Sequence, residues 1–80
     1  MSDKIEKKPI DLFIVNQVRE IRNRQGFSQE QIAFHLNVSE GFIGQIESPK
    51  FRAKYNTDHL NSLAKLFNCS PKDFLPELPV

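Results

Sequence analysis

An 80-residue chain holds one small domain, because domains run to roughly 100 to 200 residues, and it leaves no room for a second, ligand-sensing unit. A chain of this size buries only about 60 to 65% of its unfolded surface, so a large enclosed substrate cavity would consume the core; this disfavours an enzyme. At 39% hydrophobic and 26% charged residues the chain is expected to fold, and its formal net charge of +1 announces no polyanionic partner by itself.

Residues 1–9, MSDKIEKKP, are charged and end at Pro9, which disfavours helix at Lys8, so they read as an extended, flexible arm. From Asp11 to Gln25 the apolar Ile14, Val18 and Ile21 recur at i, i+4 and i+7 among polar residues, the pattern of an amphipathic helix, which Gly26 ends. Ser28 opens a capping box with Gln31 at N3, and Ile32, Ala33 and Leu36 continue at helical spacing, predicting a second helix over 29–36. Asn37 tolerates positive φ, Val38 is an apolar plug and Ser39 a fresh N-cap, so a third helix is predicted over about 40–47 with Ile43 and Ile46 facing inward. Two short helices joined in this way form a helix-turn-helix arrangement.

Pro49 stops the third helix, and SPKFRAKYN reads as a loop. Asn56 or Thr57 caps a fourth helix marked by Leu60, Leu63, Ala64 and Phe67, and Ser70-Pro71 opens a last turn before Pro76 and Pro79. The expected fold is all-α, with five short helices: an arm over 1–9, a helix-turn-helix domain over 10–76 and a tail over 77–80. Phe27, Phe67 and Phe74 read as core.

Charge is uneven along this frame. Lys50, Arg52 and Lys54 face only Glu47 in the loop after the third helix, and Lys4, Lys7 and Lys8 crowd the arm, whereas residues 25–46 carry Glu30 and Glu40 and no Lys or Arg. The single Cys69 cannot form an internal disulfide and reads as a small apolar residue, which fits a reducing, cytoplasmic setting. The longest apolar run, Leu12 to Val15, is far short of the roughly 20 residues that span a bilayer, and no membrane association is expected. His35 and His59 lie on different helices with no second ligand nearby, so no metal site is expected. No catalytic set and no phosphate-cradling Gly-rich loop is present, and neither catalysis nor a cofactor is expected.

The stretch Gln29 to Ser48, QEQIAFHLNVSEGFIGQIES, resembles the helix-turn-helix of the lambda-repressor and Cro-like (XRE-type) DNA-binding family, and the flanking Arg22, Gly26, Ser28, Leu60, Leu63, Ala64 and SPKDF match as well. The resemblance covers about residues 12–75 and implies a lambda-repressor-like fold and a small bacterial transcriptional regulator that binds double-stranded operator DNA; a homodimer is expected on energetic grounds, because one such domain makes few phosphate contacts and joining two raises avidity. It implies that the third helix reads base edges, through Glu40, Gly41 and Gln45. Gln is able to pair with adenine N6 and N7, and Glu to accept from cytosine N4. Phosphate contacts are expected from Gln29 at the start of the second helix, from Ser39, Gly44 and Ser48, and from Lys50, Arg52 and Lys54 in the loop. Arg22 and Glu47 resemble a structural pair joining the first helix to the end of the third. Gly41 and Gly44 depart from a rich reading surface: each costs about 1 kcal/mol relative to Ala in a helix and presents no side chain to a base.

Two alternatives stay open at this level. Lys4, Lys7 and Lys8 form either a DNA-wrapping arm or a solvated tail, and the dimer surface is either the fourth helix or the tail of Phe74, Leu75, Leu78 and Val80. A rival reading keeps the fold but makes it a protein-interaction module, for example a toxin or regulator partner, anchored by Phe34, Phe42 or Phe51.

Overall fold

The computed structural model describes residues 7–80, which form four α-helices and a closing 3₁₀ turn: α1 (Pro9–Gln25), α2 (Gln29–Leu36), α3 (Glu40–Glu47), α4 (Thr57–Phe67) and the turn Pro71–Phe74. The fold is all-helical, as expected, but its fifth element is a single 3₁₀ turn. Only four residues lie between the Ser70 cap and Leu75, and Pro76 follows at once, which is too little chain for an α-helix nucleus.

Each helix boundary has a local chemical cause. Pro9 sits at the N-terminal end of α1, where its missing N–H is no loss, so the helix begins two residues before the Asp11 start read from periodicity. Gly26 ends α1 at φ 82°, a left-handed conformation that a side chain disfavours. Ser28 accepts from Gln31 N at 3.0 Å while Gln31 Oε1 accepts from Ser28 N at 2.8 Å, closing the capping box of α2. Asn37 then turns the chain at φ 61°, Val38 N donates back to Ala33 O at 3.0 Å, and the Ser39 hydroxyl accepts from Phe42 N to start α3. At α4 the cap is Asn56, whose Oδ1 accepts from His59 N while His59 Nδ1 accepts from Asn56 N.

The core is built from one face of every element. Val15, Val18 and Ile21 of α1, Ile32 and Ala33 of α2, and Ile43 and Ile46 of α3 are buried against Leu60, Leu63, Ala64 and Phe67 of α4, with Phe74 wholly enclosed. Ala33 of α2 is 3% exposed within the core, so a larger side chain there would be overpacked and push the helices apart. Phe67 meets both Phe27, at a centroid distance of 5.8 Å, and Phe74, edge-on at 6.2 Å. The inward stripe of α1 is rotated from the predicted one: Val15 is buried and Ile14 lies half-buried at the rim. Cys69 is a free thiol, half-buried against the core rather than fully enclosed. No helix among the described residues is long and apolar enough to cross a membrane.

Candidate nucleic-acid interface

The α2–turn–α3 unit is fixed to α1 by a buried ion pair. Arg22 Nε and Nη2 donate to the two oxygens of Glu47 at 2.8 and 3.0 Å, and Arg22 Nη1 donates to Phe27 O at 2.9 Å. Glu47 Oε1 also accepts from Gln29 Nε2 at 2.9 Å, so one carboxylate at the end of α3 ties α1 and the start of α2 together. Every polar atom of the pair has a partner, which is the condition for a buried ion pair to be tolerable. The Gln29 side chain is thereby engaged inside the protein; its main-chain N–H, at the first position of α2, has no intrahelical partner.

With Ile43 and Ile46 inward, the outward face of α3 carries the short residues Gly41 and Gly44, with Glu40 and Gln45 beside them and Ser48 following as the C-cap. Glu40, Gly41 and Gln45 are exposed, as is Ser39 at the N-cap, while Gly44 and Ser48 are half-buried. A Cβ placed on Gly41 or Gly44 would meet no atom of the described residues within 4 Å. The fold therefore imposes glycine at neither position.

Lys50, Arg52 and Lys54 are exposed in the loop that leaves α3, and Lys54 Nζ lies 3.4 Å from Asp11 Oδ2, a loose pair at the surface. Lys8 is also exposed, and a cleft of about 330 Å³ lined by Lys7, Lys8, Asp11, Arg52 and Lys54 joins the end of the arm to this loop. The electropositive surface is thus assembled from two segments remote in sequence, one of them the loop that leaves α3.

Lys7 departs from the expected free arm. It is buried, and its ammonium group donates to three main-chain carbonyls at the C-terminal end of α3 and just beyond: Gln45 O at 3.3 Å, Ser48 O at 2.5 Å and Phe51 O at 2.7 Å. Burial lowers its pKa from the ordinary lysine value, with the Asp11 carboxylate opposing that shift. Lys4, the remaining arm lysine, lies outside the described residues. Sequence reasoning missed the Lys7 contact because its partners are backbone carbonyls, which leave no side-chain signature; the one legible hint is that the last turn of α3 carries no basic residue of its own.

The aromatic candidates separate. Phe42 is half-buried with its ring edge toward His59 at 6.3 Å, whereas Phe34 is 88% exposed on α2 and Phe51 45% exposed in the loop. His35 Nε2 lies 3.1 Å from Ser62 O and His59 Nδ1 serves the α4 cap, so both rings have structural contacts. Among the described residues no group of three or more His, Cys, Asp or Glu is gathered as a metal site.

Residues 18–74 match the helix-turn-helix family. No curated protein matches the sequence. The fold is similar to that of the restriction-modification controller protein C.AhdI from Aeromonas hydrophila, with a TM-score of 0.67 and 22% identity over 80% of this chain and 94% of that one. It is also similar to a hypothetical transcription factor, NHTF, from Neisseria, with a TM-score of 0.70 and 13% identity over 95% of this chain and 85% of that one.

Proposed function

The chain belongs to the helix-turn-helix family of DNA-binding transcriptional regulators, and from that premise we propose that it binds operator DNA as a homodimer with α3 in the major groove. The observation that carries this reading is the adjacency of two surfaces: an exposed face of α3 bearing Gln45, and a loop leaving that helix with exposed Lys50, Arg52 and Lys54. Gln45, with Glu40 beside it, reads base edges; Gly41 lets the helix approach the bases closely. The loop cations, with Lys8, neutralise phosphates on the flanking strand. Ser39, Gly44 and Ser48 line that approach, and the free N–H groups at the start of α2, that of Gln29 included, meet phosphate on the other side.

One such module makes few phosphate contacts, and joining two raises avidity. The tail supports dimerisation better than α4 does: Leu75 and Leu78 are 48% and 75% exposed, whereas the exposed residues of α4 include the polar Asp58, Asn61 and Lys65. Half-sites then fall about one helical turn apart.

The test is selection of genomic DNA fragments by the purified protein at about 0.15 M salt, where non-specific contacts are weakened. Recovery of an inverted repeat supports a dimeric operator binder. Retention of nothing, or of unrelated fragments only, overturns it in favour of a protein-interaction module on the same fold, the reading favoured by the outward-facing ring of Phe34.

A further inference from the structure

The C-terminal end of α3 is an electrostatic problem that its own sequence leaves unsolved. The last carbonyls of a helix have no intrahelical partners and carry the negative end of the macrodipole, and a cation in the last turn ordinarily offsets both. Helices α1, α2 and α4 each have a basic residue there, but α3 has none. The cations arrive instead from elsewhere in the chain. Arg19 Nη1 of α1 donates to Glu47 O at 3.3 Å, and Lys7, from the segment before α1, donates to Gln45 O, Ser48 O and Phe51 O. Two of those carbonyls already accept main-chain bonds, Gln45 O from Ser48 N and Ser48 O from Phe51 N, so the ammonium uses their second lone pairs and gathers the helix end and the loop around one charge.

Lys7 cannot serve a phosphate while it is held in this cradle: its three donors face three carbonyls and the residue is buried. What it touches, however, is the main chain of Gln45 and of the segment that leads to Lys50, Arg52 and Lys54. We propose that Lys7 is a positioning residue for DNA docking, fixing the end of the reading helix and the first turn of the basic loop in one geometry without itself contacting DNA. This rests on the docking proposed above, in which α3 enters the groove.

The test uses the full chain with Lys7→Met, which keeps the stem and removes the ammonium, and Lys8→Met, which removes the same charge one residue away at an exposed position. Two readouts are taken: amide hydrogen exchange of Ser48 and Phe51 in the free protein, and DNA affinity as a function of salt. In Lys7→Met the exchange of both amides is expected to accelerate, with affinity falling about fivefold or more, beyond the loss in Lys8→Met. Unchanged exchange, with affinity and salt slope both shifted as in Lys8→Met by the equivalent of about one neutralised phosphate, would overturn the inference and make Lys7 an ordinary phosphate ligand.

Should Lys7→Met fail to fold, Lys7→Arg decides. It keeps the charge, but a planar guanidinium on a longer stem does not fill a cradle built for a compact ammonium. Reduced affinity with faster Phe51 exchange supports positioning; binding and exchange equal to the wild type overturn it. A wild-type protein that binds no DNA at all would sink the proposed function, an outcome read separately from the exchange data.

Discussion

Glu47 accepts two hydrogen bonds from Arg22 and a third from Gln29, so a single carboxylate at the end of α3 holds the helix-turn-helix unit against α1. Replacing Glu47 with Ala leaves the Arg22 guanidinium buried without its counter-charge, an arrangement that costs about 3 to 5 kcal/mol. For a small domain whose total stability is on the order of 5 to 10 kcal/mol, most of the fold's margin disappears. The double replacement Arg22→Met/Glu47→Ala leaves no orphaned charge and is expected to cost much less than the sum of the single changes. Urea unfolding of the wild type, Arg22→Met, Glu47→Ala and the double variant checks this coupling.

Base reading and phosphate attraction separate by mutation. Gln45→Ala removes a side chain able to pair with one base and is expected to weaken binding to the preferred site by about 1 to 3 kcal/mol while leaving non-specific binding nearly unchanged. Neutralising Lys50, Arg52 and Lys54 together weakens all DNA alike and lowers the salt slope by about 0.9 for each phosphate left without its cation. Titrations of specific and scrambled duplexes at several salt concentrations distinguish the two effects. Equal losses on both duplexes for Gln45→Ala would remove it from the reading surface.

Gly41 and Gly44 weaken an eight-residue helix with no packing reason among the described residues, where a Cβ at either position meets open space. Alanine at each is expected to raise stability by about 1 kcal/mol, the ordinary helix-propensity difference. If α3 lies close against DNA, the same changes lower affinity. Thermal unfolding and DNA titration of both variants provide the check, and gains in stability with undiminished binding would show that no partner approaches this face.

Tyr55 is buried, and its hydroxyl has no hydrogen-bond partner among the described residues. Burial raises its pKa well above the ordinary tyrosine value, with the Glu47 carboxylate adding to the shift and Arg22 opposing it. The sign follows: below about pH 10 the hydroxyl is neutral in both the folded and unfolded chains, and above it only the unfolded chain ionises freely. Stability is therefore present in full below about pH 10 and falls as pH rises beyond it. Tyr55→Phe removes the unpartnered oxygen and is expected to stabilise the protein by about 1 kcal/mol at neutral pH and to flatten the loss between about pH 10 and 11. Melting temperatures of both proteins across that range test the prediction.

The parts legible in the sequence are those whose causes are local. Ser28, Asn37 and Ser39 set the bounds of α2 and α3 through bonds within a few residues, and Leu60, Leu63, Ala64 and Phe67 mark the buried face of α4 at helical spacing. What periodicity misses depends on neighbours far along the chain. Ile14 and Val15 are both apolar, and only packing decides that Val15 turns inward. Tyr55 is one inward side chain in an irregular loop, where no period exists to reveal it. Among the functional candidates, the exposure of Glu40 and Gln45 follows from the helix register, but the internal engagement of the Gln29 amide by Glu47 does not, because it needs α2 and α3 already crossed.

Phe74, fully enclosed and stacked edge-on against Phe67, closes the core from the last turn of the chain's regular structure. Until that residue has emerged from the ribosome, the faces of α1 and α4 that it joins have no lid, and the nascent segment carrying α2 and α3 has no completed core behind it. The core is therefore complete only once Phe74 can pack against Phe67, and the domain is expected to fold as one unit, not helix by helix. A chain cut short before that residue would display apolar surface to the quality-control machinery in place of a finished reading head.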